Sequence, residues 1–164
     1  MSQLVFQATL GGAVNMIGPN TASTYDLNVP AVSDTLVART TTDTLTNKTL
    51  TNPTVTSYVE SVVAIGTVTT ASTLSLTNGT VQTATLTAST ACTFTMPTAT
   101  AGKSFILLLK QAASTGNGTA TFTGVKWNGA GTPTMTATAG KMDIFNFVAD
   151  GTNWYGAASQ GYTP

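Results

Sequence analysis

Six carboxylates and no histidine set the limits of what this chain could catalyse. The acids are Asp26, Asp34, Asp43, Glu60, Asp143 and Asp150. Two carboxylates at a controlled separation can cleave a glycosidic bond, one as acid and one as base or nucleophile. Most of these six stand in turn contexts, where Asp is favoured for its local backbone hydrogen bonds. Asp143 lies near Lys141 in a strand-like stretch and reads as a solvent-face residue or as that lysine's neutralising partner. Without histidine, neither a Ser-His-Asp nor a Cys-His site can be assembled. The usual zinc and haem ligands are missing too. Gly116, Gly118, Gly124, Gly129 and Gly131 lack the strand–loop–helix context of a phosphate loop. The chain is therefore expected to be no enzyme and to hold no cofactor and no metal. The single cysteine, Cys92, rules out an intrachain disulfide. Its setting, Ala-Cys-Thr-Phe-Thr-Met, alternates, and it reads as a small buried strand residue rather than a reactive thiol.

Aromatic side chains offer a second kind of chemistry. Trp127, Trp154 and Tyr155 could stack on sugar rings, with Thr and Asn supplying hydrogen bonds. The competing reading is that the tryptophans plug the core or a subunit seam, because aromatics are only 7% of the residues and a β domain needs some inside.

Charge narrows the partners. Charged residues make up 7% of the 164, against about 25% in an ordinary soluble domain. Lysine and arginine total 6 and are scattered, so nucleic-acid binding lacks its electrostatic basis. The longest apolar run, Phe105 to Leu109, is far short of the roughly 18 residues that a membrane helix needs, so no membrane insertion is expected. Residues 1–10 show neither the basic nor the apolar region of a secretory signal, which places synthesis in a cytoplasm. Disorder normally combines low hydrophobicity with high net charge. Here 41% of residues are hydrophobic and the net charge is zero. Extensive association is the reading left.

The elements that would carry such association begin with Asp43 to Ser57. The apolar residues Leu45, Leu50 and Val55 recur every fifth position between Thr-Asn-Lys-Thr and Thr-Asn-Pro-Thr. That spacing fits neither the helical nor the strand period. A ribbon with one large apolar residue in five cannot cover it alone. Copies around a common axis can, by stacking these residues on one another. The alternative is a polar, solvated linker.

Around this segment the pattern is all-β. Over a fifth of the residues are threonine, which is β-branched and gives a strand a neutral, wettable face. Residues 1–39 read as a small unit of short strands. Residues 40–57 are the repeat. Residues 58–164 read as one C-terminal β-sandwich or jelly-roll-like domain, with no helix. Its expected strands are 61–65, 67–76, 82–86, 93–96, 104–110, 120–125, 134–137, 142–149 and 153–156, separated by turn signals such as Asn78-Gly79, Ala101-Gly102 and Asp150-Gly151. Phe105 to Leu109 does not alternate and reads as a central strand covered on both faces. Asp150-Gly151 reads as a hairpin turn.

Three stretches carry a resemblance. Asp43 to Thr54 (Asp-Thr-Leu-Thr-Asn-Lys-Thr-Leu-Thr-Asn-Pro-Thr) resembles a motif of the surface fibres of tailed bacteriophages. Val5-Phe-Gln, Pro19 to Thr24 and Leu27 to Ala31 are similar to N-terminal modules of those proteins, and Asp150 to Tyr155 resembles a hairpin that closes many phage β domains. The resemblance implies a homotrimeric, all-β, non-enzymatic virion protein. Residues 1–39 would dock on a capsid or tail protein and 40–57 would form an intertwined shaft. The shortness of the chain suits a head fibre or capsid decoration protein. A receptor-binding tail fibre, recognising a host surface glycan, is the alternative.

Overall fold

The computed structural model describes Ala22, residues 44–46, and residues 48–164 except Ala130. The expected strands of residues 1–39 fall outside the described residues. The chain divides into two compact units, Met1–Asn52 and Pro53–Pro164.

In the second unit the described residues are all-β. They form nine strands: β1 (Val62–Val68), β2 (Ala71–Thr73), β3 (Val81–Leu86), β4 (Ala91–Thr95), β5 (Ser104–Lys110), β6 (Thr119–Thr123), β7 (Val125–Lys126), β8 (Met142–Ala149) and β9 (Trp154–Tyr162). Two sheets result. The larger runs β1-β3-β5-β8-β9-β7 and the smaller β2-β4-β6.

The pairing is not that of a jelly roll, in which neighbours run antiparallel. β1 pairs β3 and β3 pairs β5 in parallel, and so do β2 with β4 and β4 with β6. Parallel neighbours need a long crossover. Here each crossover is a strand of the opposite sheet, so the chain winds back and forth between layers as a β-solenoid-like coil. Val62 aligns with Val81 and Val81 with Ile106, while Ala71 aligns with Thr93 and Ala91 with Thr119. β8 and β9 then form an antiparallel hairpin on the free side of β5.

The core lies between the layers. Inward positions alternate with outward ones, as strand geometry requires. Leu86, Phe94, Leu107, Leu109 and Phe145 are completely buried. Each contributes about 1.5–3 kcal/mol relative to exposure. Phe94 and Phe122, aligned on neighbouring parallel strands, stack with centroids 5.2 Å apart. Phe105 and Phe147, aligned across β5 and β8, stack at 4.7 Å. Cys92 is buried among them, and burial raises its thiol pKa, the behaviour of an inert core residue.

Other expectations change as well. Phe105 to Leu109 is covered on one face only: Phe105, Leu107 and Leu109 are buried, while Ile106 is exposed and Leu108 half-buried. Residues 134–137 form no strand, because their backbone groups bond elsewhere. The Thr136 amide donates to Asp143 Oδ2 at 2.8 Å, Gln111 Nε2 donates to the Thr136 carbonyl at 2.8 Å, and the Asn117 amide donates to the Ala137 carbonyl at 2.8 Å. Asp143 is neither solvent-facing nor a lysine partner. It is fully buried and also accepts from the Gly161 amide at 2.9 Å and Gln160 Nε2 at 3.2 Å. A buried carboxylate is tolerable only when hydrogen-bonded in this way.

Candidate functional site

The two outer surfaces of the C-terminal unit differ in chemistry. Outward positions of the small sheet are Ala71, Thr73, Ala91, Thr93, Thr95, Thr119, Thr121 and Thr123, all exposed. The register sets Thr93 beside Thr121 and Thr95 beside Thr123. Threonine hydroxyls keep such a face wet without charge.

The large sheet mixes large apolar residues with small and polar ones. Its register lines up Val62, Val81, Ile106, Asn146 and Ala157 in one outward row. The next row is Ala64, Thr83, Leu108, Ile144 and Ser159. Val148 stands between Ser104 and Tyr155 at one end, and Met142 between Lys110 and Tyr162 at the other. Val62, Ile106, Val148, Tyr155 and Tyr162 are exposed. The only charges on these rows are at the margins: Lys110, and Lys126, which β7 sets beside Tyr155. A shallow groove of about 500 Å³ crosses one end, lined by Glu60, Ser104, Ile106, Asn146, Val148 and Tyr155 among others.

The segment leading into β1 adds to this surface character. Val55, Tyr58 and Val59 are exposed, Val59 at 92%. The three repeat residues singled out from sequence are exposed as well: Leu45 at 50%, Leu50 at 60% and Val55 at 59%. Leu45 and Leu50 belong to the first compact unit and Val55 to the second.

The three aromatic candidates do not share a surface. Trp154 and Tyr155 are successive strand residues and point to opposite faces. Trp154 is buried, and its Nε1 donates to the Pro97 carbonyl at 2.7 Å. Trp127 is half-buried and meets Phe122, Phe145 and Phe147 edge-on at 5.8–6.1 Å. Its ring also covers Gly156, where an added Cβ would lie 2.5 Å from Cζ3. Tyr155 alone of the three faces outward, its hydroxyl donating to Asp150 Oδ2 at 2.9 Å.

Asp150 organises the β8–β9 turn. Its Oδ1 accepts from the Thr152 amide at 2.8 Å and the Asn153 amide at 2.7 Å. These backbone donors, with the Tyr155 hydroxyl, lower its pKa to about 2, and the same carboxylate raises the pKa of Tyr155. This geometry serves a turn: a carboxylate so well satisfied is a poor base. Among the described residues no group of three or more His, Cys, Asp or Glu side chains could hold a metal ion. No helix there is long and apolar enough to cross a membrane.

The outward apolar residues of the large sheet escape a sequence reading that treats Phe105 to Leu109 as doubly covered. The usable signal was the set of Val and Ile at outward positions of β1, β3 and β8, where the small sheet has Thr.

In comparisons with known proteins, the chain matches no family model, no curated protein and no solved structure.

Proposed function

We propose that this chain is a non-enzymatic structural protein of a bacteriophage virion surface, a short head fibre or capsid decoration protein that works as a homotrimer. The observation that carries the reading is the exposure of Leu45, Leu50 and Val55 on the single chain, in the segment whose residues resemble phage fibre shafts. Apolar side chains at this regular spacing have no reason to stay wet in a chain of such low charge. Copies wound about one axis cover them, forming an intertwined shaft over residues 40–57. Residues 1–39 then dock on a capsid or tail protein, and the C-terminal unit points outward.

The test is the mass of the assembly. The full chain is expected to sediment as a trimer, and Leu45→Asp with Leu50→Asp to give monomers or aggregates. An unchanged trimer in that variant would remove the shaft. An image of the virion locating the chain would test the docking.

A receptor-binding role is the second reading, and one observation favours it. The Tyr155 ring is exposed, pinned by Asp150 and set at a groove with Asn146, Ser104 and Glu60. That is a fixed stacking surface beside hydrogen-bonding groups. Retention of a glycan by the full chain, lost on Tyr155→Ala, would support it.

A further inference from the structure

We infer that the outer face of the six-stranded sheet packs against the same sheet of sister chains, so that the sheets of the assembly face its axis. This rests on the self-association proposed above and names a surface that the shaft repeat does not include.

The first support is the contrast between the two outer faces. One protein makes both, from strands of the same coil. Where the small sheet meets water its outward positions carry mainly Thr, and Ala otherwise. The equivalent positions of the large sheet include Val62, Val81, Ile106, Leu108, Ile144 and Val148, interspersed with Thr83, Thr85, Ser104 and Asn146. Large apolar side chains are kept off the outward positions of one sheet and not of the other.

The second support is area. Five strands spaced about 4.8 Å apart, each presenting three to four outward residues along some 20 Å, cover roughly 500 Å². The face is interrupted by polar Thr83, Ser104, Asn146 and Ser159, so it is mixed in the way of an ordinary interface. Its area is over half of the roughly 800 Å² per partner of a standard interface. Val55, Tyr58 and Val59 supply further apolar surface. They lead directly into β1, the edge strand of this same face. A contact that brings faces together brings these leaders together too.

The third support selects the partner. The only charges are Lys110 and Lys126 on the rows and Glu60 at the groove, all at the margins, so the centre of the face carries no pattern for recognising an acidic or basic protein. Charge-depleted centres with polar margins are the composition of interface cores. In a trimer such a face meets the equivalent faces of two sister chains around one axis, three sheets of the same twist. A sister chain presents such a sheet whenever the protein is made.

The experiment compares the full wild-type chain with Ile106→Lys/Val148→Lys on this face and Thr93→Lys/Thr121→Lys on the threonine face, by sedimentation and far-UV circular dichroism. The expected result is a trimer for wild type and the threonine-face variant. The Ile106/Val148 variant is expected to stay folded with association weakened on the order of 100-fold or more, because unpaired charge would be buried. Should that variant fail to fold, Ile106→Cys and Thr121→Cys provide the second measurement, since Cys92 is buried and silent. A maleimide should label the Thr121→Cys thiol promptly and the Ile106→Cys thiol only on dissociation. Equal labelling, or an unaltered trimer in Ile106→Lys/Val148→Lys, overturns this face while leaving the shaft intact. A monomeric wild type overturns both. Loss of glycan retention in Ile106→Lys/Val148→Lys without any change in mass would make the face a ligand site and overturn it as an interface.

Discussion

Gly156 shows how narrowly a single position can be specified. It lies on β9 under the six-membered ring of Trp127, and any side chain there would enter the ring. Gly156→Val should lower stability by about 1–3 kcal/mol through overpacking, read as a lower urea midpoint. Asp150 specifies its turn by charge. Its folded pKa of about 2 lies below the ordinary 3.8, so the folded state favours the ionised form. That contribution is complete above about pH 4 and fades as pH falls toward 2. Wild type should therefore lose more stability than Asp150→Ala between pH 4 and pH 2 in denaturant titrations. An identical pH profile for the two proteins would show that the turn does not depend on the carboxylate. Only one of the two features was legible. The Asp-Gly pair announced the turn, whereas the Gly156–Trp127 contact joins residues far apart in sequence with no local signal.

At the scale of elements, local pattern carried β5 and β8 to their observed bounds, because each is long, rich in strand formers and closed by turn residues. Pattern misjudged Gly66, which reads as a break between strands. The structure passes β1 through it with a bulge, using a positive φ of 85°. The coil itself was illegible for a physical reason. Its turns differ in length, with nineteen residues from Val62 to Val81 and twenty-five from Val81 to Ile106, so no fixed period appears. Residues 134–137 misled in the opposite sense. Met135 is buried, but the backbone around it is held by the side chains of Gln111 and Asp143 rather than by a neighbouring strand. Asp143→Ala should strand the Thr136 and Gly161 amides and cost about 1–3 kcal/mol per donor left unsatisfied. Phe94→Ala, which removes the ring stacked on Phe122, should cost about 3–5 kcal/mol, measured by chemical denaturation.

For the whole molecule, low charge sets the expected response to solvent. Assembly through Leu45, Leu50, Val55 and the sheet face would rest on apolar burial, which salt does not screen. The oligomer's dissociation constant should thus change little between 50 mM and 500 mM sodium chloride, and sulfate should tighten it. A steep weakening with sodium chloride would show that ion pairs hold the copies together. The candidate surface was only half legible at this scale. Leu45, Leu50 and Val55 stood out because of their spacing. The sheet face did not, since its members come from five strands and meet only after the coil has wound.

The order of strands in the large sheet has a consequence for biosynthesis. β5 has β3 on one side and β8 on the other, but β8 is translated some thirty residues later. On the ribosome, Ser104–Lys110 therefore emerges with one flank open: a Phe-Ile-Leu-Leu-Leu ribbon with free amides and carbonyls. Such a flank recruits any extended chain nearby. Nascent molecules stalled before Met142 should clump or hold a chaperone, and those that have released Tyr162 should not.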